Sequence, residues 1–203
     1  MSKVGSATAY SVKERLYAIQ VAQWKHDERY HRDITILPVQ VRLKHMALHM
    51  SKYAGQIAAA VRQENSILLK RSLVDIFIIG VAAANTLGLR LSKILSAEEV
   101  CIGQHLSELA QYLTAAQPQG ESDTDLVFRV AESAGRLAKA CESLDHLEPY
   151  PYRETIQFCI AELISISLTA SHQRGMDLDA EATERLRRVE EKHLFYSEIT
   201  STN

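Results

Sequence analysis

The chain has 203 residues, enough for one domain of ordinary size or two small fused units. Hydrophobic residues make up 46%, which excludes a disordered chain, and only eight Gly and four Pro argue against a turn-rich β architecture. A formal net charge of −2 excludes a global field that would draw in nucleic acid or an anionic membrane.

In chain order, residues 9–27 predict a first helix. A charged connector, "KHDERYHRDITILP", follows it, and Pro38 marks a helix boundary. Trp24 and the cluster at 24–33 read as a polar connector with one anchoring aromatic, or as a lid or partner contact. A second helix is predicted over 39–63, where Leu43, Ala47, Met50, Ala54, Ile57 and Val61 form one apolar stripe. The third, 66–87, is apolar nearly all round, as in a central bundle helix, and Gly88 suits its C-terminal cap. A fourth helix is expected to begin near Ser96, where "SAEE" has capping-box form with Glu99. The stretch "AAQPQGESDT" at 115–124 reads as a linker. Helices over 125–144 and 152–173, a stop at Gly175 and a charged helix over 179–196 complete the chain.

Cys101, Cys141 and Cys159 form no CxxC pair and read as small core residues in a reducing compartment. The N-terminal stretch has no long apolar run, so no secretory signal is expected, and the most apolar stretch, 73–84, is too short for a bilayer and contains Asp75. A soluble cytoplasmic protein without membrane or nucleic-acid partners is expected.

Two segments repeat. "SKYAGQIAAA" at 51–60 parallels "AESAGRLAKA" at 131–140. "DIFIIGVAAANTLGLRL" at 75–91 parallels "ELISISLTASHQRGMDL" at 162–178, each with an acid followed thirteen residues later by a glycine. Such a pattern predicts one supersecondary unit used twice.

These residues carry a family resemblance. "KYAGQI" followed by "SLVDIF…ANTLGL" resembles the MazG-like, all-α NTP pyrophosphohydrolases, whose hallmark is "EExGEL" on one helix and "ELADVL…ANRLGIDL" on the next. "ESAGRL" with "CIAELI…SHQRGMDL" resembles a second copy. The resemblance implies an all-α helical bundle of two fused MazG-like units. Their extents are a helix and connector over 1–38, a first unit over 39–114, a linker over 115–124 and a second unit over 125–203. Fusion would mimic the dimer that family members build from separate chains.

Family enzymes hold Mg²⁺ with an ExxE and an ExxD motif, since this hard ion takes oxygen ligands and bridges substrate phosphates. Carried over, the first copy offers Tyr53, Gln56, Ser72 and Asp75, and the second offers Ser133, Arg136, Cys159 and Glu162, with Glu132 beside them. Only Asp75 and Glu162 are acidic at these positions, and Arg136 would repel a cation. Buried carboxylates need partners. The expected ones are Arg136 for Glu162 and Lys52 for Asp75, a fixed cation replacing the metal in each half.

His45, His49, Lys52 and Gln56 fall on one arc of the second helix, opposite the apolar stripe. The arc is open to three readings. It is a solvated or interfacial face, a transition-metal site of His45 and His49 with Asp75 as third ligand, or a pocket where His45, His49, Lys52 and Tyr53 meet a phosphate or a base. The expected function is a non-catalytic MazG-like protein that binds a nucleotide through His45, His49, Lys52, Tyr53, Gln56 and Asp75, or binds a protein partner or a second copy of the chain. Glu132, Arg136 and Glu162 form the degenerate second site. No cofactor is expected. The alternatives are an atypical pyrophosphohydrolase, with Mg²⁺ or another ion on His45, His49, Asp75, Glu132 or Glu162, and a purely structural subunit.

Overall fold

Local signals set the helix ends. The computed structural model describes residues 11–97, 105–116 and 122–197, and these residues contain helices and no strand. The helices are α1 (Val12–Tyr30), α2 (Arg32–Thr35), α3 (Val39–Arg62), α4 (Ser66–Thr86), α5 (Leu91–Ile94), α6 (Leu106–Ala115), α7 (Asp123–Asp145), α8 (Tyr152–Gln173) and α9 (Leu178–Glu190). Ser11 with Glu14, and Ser122 with Asp125, form capping boxes, and the side chains of Asn65 and Asp177 accept from Leu68 N–H and Ala180 N–H.

The exits follow one scheme. Glu64, Gly88, Ser96, Leu147 and Gly175 take positive φ between 52° and 65°. After each, the next N–H returns to the carbonyl five residues back, as in Leu89 to Ala84 at 2.9 Å and Met176 to Ser171 at 3.0 Å. Gly88 and Gly175 therefore cap as expected. Ser96 does not: it is the left-handed exit of α5, where an N-cap would need extended backbone. Glu99 and Cys101 lie outside the described residues, as does 117–121 of the expected linker.

Helices α3, α4, α8 and α7 form a closed ring in which each packs on the next, so α3–α4 and α7–α8 are two hairpins laid side by side. Leu43, Ala47, Met50 and Ile57 of the predicted stripe are buried in it. Gly80 sets the α4–α8 approach, because a Cβ there would stand 2.5 Å from Cγ1 of Ile164. The buried hydroxyl of Ser167 donates to the Leu73 carbonyl at 2.6 Å across the same seam.

Three outer helices cover the ring. Helix α1 lies on α4 and α5, α6 lies on α8, and α9 lies mainly on α4. Gln20 pins α1 to the end of α4. Its amide donates to Asn85 and to the Leu89 carbonyl and accepts from Leu91 N–H at 2.8–3.0 Å. Arg15–Asp179 at 2.5 Å and His26–Glu190 at 2.9 Å tie α1 to α9. The segment read as a connector is thus largely helical: α1 runs on to Tyr30, breaks at His31 and resumes as α2. Among the described residues, no helix is long and apolar enough to cross a membrane.

Candidate functional site

Asp75 lies on α4 where the helix faces α3 and α9, and its side chain is 8% exposed. Its partner is Arg185 of α9, whose Nε and Nη2 donate to the two carboxylate oxygens at 2.8 and 3.3 Å. Arg71 stands 4.0 Å away. The expected Lys52–Asp75 pair is therefore corrected. Lys52 projects to solvent, where its Nζ lies 4.2 Å from the Tyr53 ring centroid and 3.1 Å from Nδ1 of His49. The cation that neutralises Asp75 comes instead from α9.

Gln56 accepts from Ser72 Oγ at 3.3 Å. Asp75 is thus the lone acid among Tyr53, Gln56, Ser72 and Asp75, and a guanidinium covers its oxygens. This donor set does not fit Mg²⁺, which needs several oxygen ligands in near-octahedral geometry.

In the second hairpin the expected pair forms. Arg136 donates to Glu162 at 2.8 Å, with Glu132 at 3.8 Å and the Phe158 ring 4.9 Å below the guanidinium. Ser133 is buried and donates to the Cys159 carbonyl at 3.4 Å.

His45 and His49 are half-buried and linked, Nε2 to Nε2, at 3.1 Å. Lys52 donates to Nδ1 of His49, so that imidazole carries its proton on Nε2 and donates it to His45. Burial, and then the Lys52 charge, push the His49 pKa down to about 4, so the ring is neutral near pH 7. Burial, and then the Asp75 carboxylate, push the Tyr53 phenol up to about 12.

These groups open into a cavity of about 210 Å³ between α1, α2, α3, α4 and α9. His45, His49, Tyr53 and Asp75 line it, and Lys52, Gln56, Glu132, Arg136 and Glu162 do not. Met46, Ile78, Ile79, Ala82, Leu186 and Val189 give it an apolar side.

The remaining polar wall comes from residues that helical periodicity did not single out: Gln23, His26, Asp27, His31, Thr35, Arg42 and Arg185. Nε of Arg42 is buried and has no hydrogen-bond partner. His26, Asp27 and His31 each offer one donor atom, and these atoms lie within 4.8 Å of one another. Burial raises the Asp27 pKa and lowers that of His31. His45, His49 and Asp75 are not brought together in this way among the described residues.

The sequence did hold a signal, the density of His and Asp in "KHDERYHRD". Its spacing hid the site. On an unbroken helix His31 would sit about 140° around the axis from His26 and about 7.5 Å along it. The break at His31, with φ −131° and ψ 37°, brings its ring to 5.3 Å from that of His26.

A larger groove of about 770 Å³ runs between α6, α8 and α9, but Arg15 is paired there with Asp179 and Arg187 with Glu184. No family model, curated protein or solved structure matches the chain.

Proposed function

We propose that the protein is a non-catalytic MazG-like tandem that binds a compact ligand through an anionic oxygen group, such as the phosphate end of a nucleotide. The binding place is the cavity between α1, α3, α4 and α9. The observation that carries this reading is Arg42, a residue that lines the cavity and whose buried Nε has no acceptor. A buried donor left unsatisfied costs about 1–3 kcal/mol, and an oxyanion would relieve it with a charge-assisted bond. Arg185, His45 and Tyr53 add polar groups on the same wall, and the apolar side suits a ring.

Volume limits the ligand. At about 30 Å³ per water, 210 Å³ equals about seven waters, below the usual 300–1,000 Å³ of a drug-sized site. One end of a nucleotide fits, and the remainder would extend outward. The tandem reading is supported by the two hairpins, whose second helices each end in a positive-φ glycine, with a new helix starting three residues later at Leu91 and Leu178. The non-catalytic reading is supported by Asp75 and Glu162, each held by an arginine where the family places metal ligands.

The test is thermal stability with phosphate, pyrophosphate, a nucleoside monophosphate and a triphosphate, each with and without Mg²⁺, beside a pyrophosphate-release assay. A ligand at a hundred times its Kd adds about 2.7 kcal/mol. The expected result is a metal-independent shift that Arg42→Met abolishes, with no turnover. Mg²⁺-dependent pyrophosphate release would establish an active enzyme instead. The absence of any shift would leave a structural bundle.

A further inference from the structure

We infer that His26, Asp27 and His31 form a binding site for a divalent first-row transition ion, with an open coordination position facing the cavity. The site goes beyond the anion-binding reading and does not depend on it. Two imidazole nitrogens and one carboxylate oxygen suit zinc and its first-row neighbours better than the hard ions Mg²⁺ and Ca²⁺. Three protein ligands plus an exchangeable position is the pattern of zinc sites that keep a place for a small molecule. In a four-coordinate site with bonds of about 2.0–2.1 Å, ligand atoms stand about 3.3 Å apart. The three donors lie within 4.8 Å of one another, so small side-chain rotations complete the geometry.

A second observation separates this cluster from a chance grouping, because two of its members are oriented from outside. Nδ1 of His26 lies 2.9 Å from Oε1 of Glu190. A carboxylate only accepts, so the proton is on Nδ1 and Nε2 is the lone-pair nitrogen. Asp27 accepts from the amide of Gln23 at 2.8 Å. A histidine braced by a carboxylate and a carboxylate braced by an amide are the outer supports that fix metal ligands. His26 is 5% exposed, so its ring is held and not merely resting on the surface.

Other charges act on the site through space: Arg42 and Glu28 on Asp27, and Asp33, His193 and His45 on His31. Against Arg42, Asp27 and Glu190 supply two negative charges. His45 lines the same cavity.

The test uses the untagged 203-residue chain freed of metal by a chelator. Zn²⁺ alone is titrated in competition with a chromophoric chelator, and Co²⁺ is followed by its visible bands. The expected result is one tightly bound equivalent, lost by at least about 100-fold in His26→Ala and His31→Gln and weakened about 10–100-fold in Glu190→Gln. His31 ends α1 and is half-exposed, so His31→Gln keeps the test valid where removal of the buried His26 ring disturbs folding. Failure of the wild-type chain to bind one equivalent would overturn the inference. So would unchanged affinity in His31→Gln, or loss in His49→Ala with retention in His31→Gln. Because the probe is the metal alone, these results do not depend on phosphate binding.

Discussion

Arg185 and Asp75, 110 residues apart in the chain, form a two-pronged ion pair at 2.8 and 3.3 Å beneath helix α9. The pair closes one end of the histidine-lined cavity and ties α9 to the central helix α4. Both carboxylate oxygens accept from the guanidinium, so the charge of Asp75 is neutralised within the fold.

Removing one member of this pair leaves a charge in a place built for two. Arg185→Ala is expected to destabilise the fold by about 3 kcal/mol, the lower end for a broken buried pair. Arg71, 4.0 Å from Asp75, supplies some compensation. Asp75→Asn in the Arg185→Ala background should add less than it does alone. Urea unfolding of the two single variants and the double variant measures the coupling, and strict additivity would refute it.

The α4–α8 seam depends on a missing side chain. In Gly80→Ala the new Cβ meets Cγ1 of Ile164, a fully buried residue, at 2.5 Å. Overpacking of this kind costs about 1–3 kcal/mol. Ile164→Ala alone should also destabilise, through the cavity it leaves, but the double variant should recover part of both losses. Thermal melts of the set decide this, and a neutral Gly80→Ala would show that the seam relaxes freely.

Gly55 and Gly135, shared by the two hairpins, behave in the opposite way. Both lie inside helices, and a Cβ at either meets nothing within 4 Å. Gly55→Ala and Gly135→Ala should each stabilise by about 0.5–1 kcal/mol. Conversely, Leu147 holds φ 53° while 85% exposed, so Leu147→Gly should gain about 1 kcal/mol from relieved left-handed backbone. Denaturant midpoints check all three.

Alkaline pH should weaken the fold through Cys141. Burial pushes its thiol up to about 11, and burial also raises that of Cys159. An unfolded thiol titrates near about 8.5. The stability linked to the protonated thiol is therefore complete below that pH and is lost as pH rises toward 11, by up to about 1.4 kcal/mol per pH unit. In a Cys101→Ser background, Cys141→Ala should flatten the fall of stability between pH 8.5 and 11. Native protein at pH 8 should react slowly with iodoacetamide at both remaining cysteines.

What the sequence determined by itself is the long helices and roughly where they end, while the short α2 and α5 went unread and α6 begins at Leu106, ten residues past the expected start at Ser96. Apolar residues at three- and four-residue steps, Ser and Asn at starts and glycines at stops act within one or two turns, so the information lies beside the residues it governs. The pairing of Arg136 with Glu162 was legible for a related reason: two adjacent helices of one hairpin bring these positions together. Ser96 misled because a capping pattern and a left-handed exit draw on overlapping residues, and the short helix α5 before it settled which one applies. Tertiary structure alone decided the site. The partner of Asp75 arrives on a helix more than a hundred residues away, and no local rule distinguishes Arg185 from Lys52 as the nearer cation. His26, Asp27 and His31 meet only because α1 breaks at His31 and α9 supplies Glu190 behind them. Periodicity reports which face of a helix is apolar. Which polar groups converge in space depends on how the helices pack, and that packing is a property of the whole chain.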